Sequence, residues 1–73
     1  MATSALGKMP GMHYYHGKGK LYRSMDEGWQ EYVPGRGWVT SYHGEGQVMN
    51  HPDDFPEIAQ HAAIELAMTL EDN

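Results

Sequence analysis

Two turn sequences divide residues 20–42 into three short segments. The first turn, Asp26-Glu27-Gly28, ends with the glycine that a three-residue hairpin loop needs in the left-handed region, and the second, Pro34-Gly35-Arg36-Gly37, suits a four-residue loop. The segments themselves, at about residues 20–25, 29–33 and 38–42, are runs of strand-forming residues. The sequence therefore predicts a three-stranded antiparallel β-meander.

The loop lengths also predict how the strands pair. A three-residue first loop sets Arg23 opposite Glu31, and opposite charges in such a pair contribute about 0.2–1 kcal/mol. The same loop sets Tyr22 opposite Tyr32, and a four-residue second loop then sets Tyr32 opposite Val39. One face of the sheet would hold an apolar set: Leu21, Met25, Trp29, Val33, Trp38 and Tyr42. Both tryptophans are expected on this core face, with Tyr22, Tyr32 and Val39 on the opposite face.

A helix start follows the meander. Asp54 suits the N-cap position, Pro56 suits the first turn, and Glu57 lies three residues after the cap and completes a capping box. The sequence predicts a helix at about residues 55–71. Its helical period places one apolar stripe on one side: Phe55, Ile58, Ala59, Ala62, Ala63, Leu66 and Leu70. We expect this stripe to pack on the tryptophans of the sheet.

The core has to be built largely from aromatic residues and methionine, since only ten of the 73 residues are Leu, Ile, Val or Phe. Two Trp, five Tyr and six Met supply the missing apolar surface. The expected fold is a small α+β domain over residues 20–73, in which the three-stranded meander packs against one C-terminal α-helix. A glycine-rich connection at residues 43–51 joins them, and the aperiodic residues 1–19 predict a flexible basic N-terminal arm.

Charge divides the chain into two parts. Residues 1–25 contain four Lys or Arg and no acid, whereas residues 26–73 contain all ten Asp and Glu and a single Arg. The acidic total argues against nucleic acid as the main partner. The chain has no cysteine, no apolar segment of the ~7–15 residues found in signal peptides and no membrane-spanning run of ~18. These features predict a cytoplasmic protein that does not act in a membrane.

Motifs that carry catalysis or bind cofactors are incomplete in this sequence. Gly17-Lys18-Gly19-Lys20 lacks the earlier glycine and the following hydroxyl residue of a phosphate-binding loop. Gly44-Glu45-Gly46 is followed by Met49 where a dinucleotide fingerprint has its third glycine. No serine stands in a nucleophile elbow. We therefore expect no enzymatic activity and no cofactor.

Two sets of residues are candidates for binding a protein partner. His61, Ile64 and Met68 lie on the predicted helix opposite the core stripe, where they suit contact with a partner or with a second copy of the chain. In a homodimer, protonation of His61 would weaken that contact. The second set, Tyr22, Tyr32 and Val39, forms a tyrosine-centred patch on the outer face of the sheet. In each case ordinary surface residues are the alternative interpretation.

The expected function is that of a non-catalytic protein-binding module, inhibitory or regulatory, which acts by covering a surface of its partner and is either monomeric or a homodimer. Such size and charge suit an accessory protein, including one encoded by a virus. One alternative is contact with nucleic acid through the basic arm, with stacking by Tyr14, Tyr15 or Tyr22. Another is a structural metal site built from four histidines: His13, His16, His43 and His51.

Overall fold

The structure, a computed structural model, describes residues 12–72. Its elements in chain order are β1 (His13–Gly17), β2 (Lys20–Met25), β3 (Gly28–Val33), β4 (Gly37–Thr40), α1 (Gly44–Asn50), β5 (Glu57–Ile58) and α2 (Gln60–Glu71). The strands form one antiparallel sheet in the order β4-β3-β2-β1-β5. The predicted α+β class is confirmed, but the sheet has five strands and not three. Neither helix in this part of the chain has the length and apolar character needed to cross a membrane.

The two additional strands come from segments that the sequence assigns elsewhere. β1 lies within the predicted arm, which is therefore wrong for residues 13–17, while residues 1–11 of the arm lie outside the described part of the chain. A tight turn formed by Lys18 and Gly19, both with positive φ, reverses the chain into β2. β5 pairs with the other edge of β1, where Tyr14 faces Ile58. The polar sequence of β1 and the two-residue length of β5 hide both strands from periodicity analysis.

Both hairpin registers differ by one residue from the predicted ones, because each loop is one residue shorter. Met25 faces Gly28 across a two-residue loop, and Val33 faces Gly37 across a three-residue loop. Gly28 and Gly37, which the sequence predicts at the last loop positions, have positive φ but occupy the first positions of β3 and β4. Tyr22 consequently faces Glu31, and its predicted pairing with Tyr32 is wrong.

This one-residue shift moves every side chain of β3 to the opposite face, since side chains alternate along a strand. Trp29 and Trp38 therefore lie on different faces of the sheet, and the prediction of one tryptophan-lined core face is wrong. On the face covered by α2, the buried cluster consists of Tyr14, Leu21 and Ala63. Partly buried apolar residues surround it: Met12, Tyr32, Trp38, Ile58, Leu66, Ala67 and Leu70. On the face covered by α1, a second cluster contains Tyr22, Val48 and Phe55, with Tyr15 and Trp29 against it.

The predicted helix start is wrong, although its end is confirmed. α2 begins at Gln60, with Ala59 in the N-cap position, and ends at Glu71. The residues before it are held by β1, because the His16 amide donates to the Pro56 carbonyl at 3.2 Å and residues 57–58 pair with β1. These contacts to the sheet replace the capping box. The predicted glycine-rich connection contains a further helix, α1, which buries Val48.

Two glycines give opposite stability predictions that test this packing. A Cβ at Gly17 would lie 1.7 Å from the Asp54 carbonyl oxygen, so Gly17→Ala forces β1 away from residues 53–56 and should destabilise by about 1–3 kcal/mol. Gly46 is exposed in α1 with open space around it, so Gly46→Ala should stabilise by about 0.5–1 kcal/mol. Urea unfolding of both variants measures the two effects. Equal unfolding free energies for Gly17→Ala and wild type would contradict the β1 packing described above.

Candidate protein-interaction groove

α2 is fixed to the sheet in its first turn and at its C-terminal end. Ala63 and Leu21 are both fully buried, and the small alanine allows the helix to approach the sheet closely. At the C-terminal end, the Glu71 carboxylate accepts hydrogen bonds from the Tyr32 hydroxyl and from the Gly35 amide, the latter at 3.0 Å. The first turn of α2 therefore lies beside β1, and the C-terminal end of α2 lies beside the loop between β3 and β4.

This placement leaves a groove, here called the α2 groove, between the helix and the β3–β4 side of the sheet. Its volume is about 520 Å³. Its floor consists of the sheet residues Tyr14, Arg23, Tyr32 and Trp38, and its wall consists of the helix residues Gln60, Ile64, Ala67, Met68, Glu71 and Asp72. The groove is thus aromatic at its floor, aliphatic along the middle of its wall and acidic at the C-terminal end of α2.

The floor is held together by ring contacts around Trp38. The Trp38 ring makes edge-on contacts with Tyr14, at a centroid distance of 5.9 Å, and with Tyr32, at 5.4 Å. The Arg23 guanidinium lies 4.2 Å above the Trp38 ring, and its Nε donates to Gln30 Oε1 at 2.8 Å. Cation–π contacts of this kind contribute about 0.5–2 kcal/mol. The floor is therefore preorganised, and the positive charge of Arg23 is already engaged.

The helix wall contains two large apolar side chains that remain exposed. Ile64 is 53% exposed and Met68 is 64% exposed, and both line the groove. His61 is also exposed, but it does not line the groove. Of the first predicted set of contact residues, the structure therefore brings Ile64 and Met68 together and leaves His61 apart.

The second predicted set does not form one surface. Tyr22 is only 4% exposed, because it packs with Phe55 and Val48 under α1. Val39 shares the α1 face with Tyr22, whereas Tyr32 lies on the α2 face and lines the groove. Register causes the difference, since the predicted pairing placed all three residues on one face.

Arg23 and Trp38 line the groove but were not predicted to belong to a site. The prediction that both lie on one face of the sheet is confirmed, because β2 and β4 keep their relation when β3 alone changes face. That face was expected, however, to be wholly covered as core. An arginine in the middle of an apolar face was the signal that this face is only partly covered.

The three tyrosines of the nucleic-acid alternative, and one histidine of the metal alternative, are engaged in other contacts. Tyr14 and Tyr22 are buried in separate clusters, and Tyr15 stacks on Trp29 at 5.5 Å, so these tyrosines do not form an open stacking surface. His13 Nδ1 lies 2.8 Å from a Glu57 carboxylate oxygen. Within residues 12–72 there is no group of three or more His, Cys, Asp or Glu placed to hold a metal ion.

Comparison with known proteins finds no matching family model, no significantly similar curated protein and no significantly similar solved structure. Function is therefore inferred from the geometry of the chain itself, and the α2 groove combines two exposed apolar side chains with a fixed aromatic floor.

The hydrogen bonds at the C-terminal end of α2 shift the titration of both partners. Hydrogen bonds from the Tyr32 hydroxyl and the Gly35 amide stabilise the ionised carboxylate and lower the pKa of Glu71. The hydrogen bond to Glu71 and, to a smaller extent, partial desolvation raise the pKa of Tyr32. The contact is therefore formed when Glu71 is ionised and Tyr32 is protonated.

Removal of this hydrogen bond by Tyr32→Phe should lower the melting temperature near neutral pH. A lowered folded-state pKa makes the contribution of Glu71 complete above the ordinary glutamate value of about 4.3, and it is lost as pH falls through the lowered pKa. A raised pKa makes the contribution of Tyr32 complete below about pH 10, and it is lost as pH rises further. The difference between wild type and Tyr32→Phe should thus shrink at both extremes.

Melting curves of the two proteins from about pH 2 to about pH 11 measure this pH dependence. The range extends beyond the ordinary pKa values of glutamate, about 4.3, and tyrosine, about 10. Tyr42→Phe is the matched control, because it removes the same atom from an exposed tyrosine and should show no such pH dependence. A difference between wild type and Tyr32→Phe that stays constant over this range would contradict the assignment.

Proposed function

We propose that this protein is a non-catalytic protein-binding module whose α2 groove receives an amphipathic helix of a partner, and that it regulates or inhibits that partner by covering its surface. One observation carries the proposal: Ile64 and Met68, both more than half exposed, lie beside the fixed aromatic floor formed by Tyr32 and Trp38. Trp, Tyr and Arg, the residue types of the floor, are those that most often dominate binding energy in protein interfaces, and methionine is also enriched there.

The shape of the groove favours a helix as the occupant. The groove runs beside α2, whose 12 residues span about 18 Å along the helix axis. A helix laid parallel or antiparallel to α2 would continue the helical layer over the uncovered β3–β4 part of the sheet. Its apolar side chains would contact Ile64, Met68 and Trp38 as in other helix-in-groove interactions.

Charge favours a partner segment that carries Lys or Arg beside its apolar residues. α2 contains Glu65 and Glu71, is followed by Asp72, and has no Lys or Arg, in a chain of net charge -5. The C-terminal end of α2 adds the negative pole of the helix dipole. A symmetric homodimer through α2 would oppose these acidic helices, so a second copy of the chain is the less favoured occupant.

A synthetic amphipathic Leu/Lys helix of about four turns tests the groove directly, with fluorescence anisotropy as the measurement. We expect the peptide to bind saturably to wild type. It should bind at least about tenfold more weakly to the double variant Ile64→Glu, Met68→Glu, because both substituted side chains lose their contacts with the leucines of the peptide. The added negative charges would strengthen a purely electrostatic association. A weaker complex therefore identifies the apolar contact as the cause.

Met49→Glu is the matched control, because Met49 is an equally exposed methionine on α1, away from the groove. It should bind the peptide as wild type does. Unchanged or tighter binding by the double variant would contradict the proposed function. Sedimentation of wild type over a hundredfold dilution decides the occupant: a concentration-dependent dimer abolished by the double variant would assign the groove to a second copy.

A further inference from the structure

A second cavity lies at the other end of the sheet, separate from the α2 groove. It is open on one side and has a volume of about 360 Å³. It is formed where the β2–β3 turn meets the residues that leave β4 and enter α1. Its walls contain two aromatic rings, two carboxylates and a thioether, with neutral residues between them: Trp29, Tyr42, Glu27, Glu45, Met25, Gly28, Gln30, Thr40 and Ser41.

Antiparallel topology separates the charges of the sheet along the strand direction. The turns that contain Lys18 and Arg36, together with Lys20, lie at one end of the sheet, and this cavity lies at the opposite end. The two lysines are paired there, Lys18 with Asp54 at 3.5 Å and Lys20 with Glu31 at 3.4 Å. Arg23 lies over Trp38 on the α2 face and donates to Gln30, so within residues 12–72 no Lys or Arg side chain lines the cavity itself.

The carboxylates at the cavity end are consequently left without counter-charges. Within the described residues, neither Glu27 nor Glu45 forms an ion pair, and the neighbouring Asp26 adds a third negative charge to the same turn. No side chain that lines the cavity is positively charged. The potential in the cavity is therefore negative and attracts a cation.

Contacts within the sheet hold the Trp29 ring and the segment that carries Tyr42. Tyr15 stacks on Trp29 at 5.5 Å, which fixes the indole plane. The chain that carries Tyr42 is attached to the same strand, because the Ser41 amide donates to the Trp29 carbonyl at 2.9 Å and the Gly44 amide donates to Ser41 Oγ at 3.0 Å. Tyr42 lines the cavity and is 90% exposed, so most of its ring is accessible to a ligand.

We propose that this cavity binds an organic cation of the alkylammonium class, between the rings of Trp29 and Tyr42 and beside the carboxylates of Glu27 and Glu45. Aromatic faces attract weakly hydrated organic cations and do not coordinate metal ions. The two carboxylates supply the opposite charge. The ligand is either a free alkylammonium compound or an ammonium side chain of a protein, since both present the same group. This inference does not depend on the α2 groove.

Choline chloride is the first probe, titrated into wild-type protein while the indole N–H signal of Trp29 is followed by NMR. We expect a saturable shift of the Trp29 signal and no comparable shift of the Trp38 signal, which reports on the opposite face. The neutral carbon analogue of choline, in which a tert-butyl group replaces the trimethylammonium group, should leave Trp29 unshifted. Magnesium chloride at equal ionic strength should also leave it unshifted.

Variants identify the groups that bind. Tyr42→Ala removes a ring that contributes little to the fold and should weaken choline binding about three- to tenfold. The double variant Glu27→Gln, Glu45→Gln should weaken it at least as much, while Glu65→Gln, an exposed glutamate on α2, is the matched control and should have no effect. An equal response to the neutral analogue, a response to magnesium, or wild-type affinity in Tyr42→Ala would each overturn the proposal.

A second titration distinguishes the two sources of the cation. A short neutral peptide that contains one trimethyl-lysine presents the same group on a polypeptide. Binding of this peptide more tightly than choline assigns the cavity to a protein side chain, and binding no tighter than choline assigns it to a free alkylammonium compound. Absence of both responses would overturn the proposal without affecting the α2 groove.

Discussion

Side chains alternate along β2, so Leu21 and Tyr22 lie in separate apolar clusters on opposite faces of the sheet, and pairing through a two-residue loop decides which β3 side chains join each cluster. With this pairing, a chain poor in aliphatic residues covers both faces of one sheet, using α2 on one side and α1 with the following loop on the other. Each cluster is small; four of the five residues in the cluster under α1 are aromatic, whereas three of the ten in the cluster under α2 are. Ala63 permits the close approach on the α2 face, and Gly17 permits the close approach of Asp54 to β1.

The two surface features follow from this arrangement. A helix of 12 residues anchored over Leu21 is too narrow to cover a five-stranded sheet, so the part around Trp38 remains open and forms the α2 groove. The antiparallel turns place basic residues at one sheet end and acidic residues at the other, so the cavity beside Trp29 is negative. Each tryptophan therefore contributes to a different concave surface, on a different face of the sheet.

Local chemistry was sufficient to predict some parts of the fold. Turn residues located β2, β3 and β4 to within about two residues, and helical periodicity indicated that Ile64 and Met68 would be exposed. The register could not be predicted, because Gly28 is compatible both with a loop end and with a strand start. The start of α2 depends on the pairing of residues 57–58 with β1, which is distant in sequence, and this pairing overrides the capping signal at Asp54. β1 itself pairs mainly with its neighbour β2, and it was missed because its polar sequence has no strand period. The groove floor was missed because its aromatic residues were expected to be covered.

The two tryptophans lie on opposite faces of the sheet, Trp38 on the α2 side and Trp29 on the α1 side. Nuclear Overhauser contacts from the two indole rings measure this placement. We expect contacts from Trp38 to the rings of Tyr14 and Tyr32, and contacts from Trp29 to Tyr15. Contacts from Trp29 to Ala63 or other core residues of α2 would contradict it, because they would place both indoles on one face.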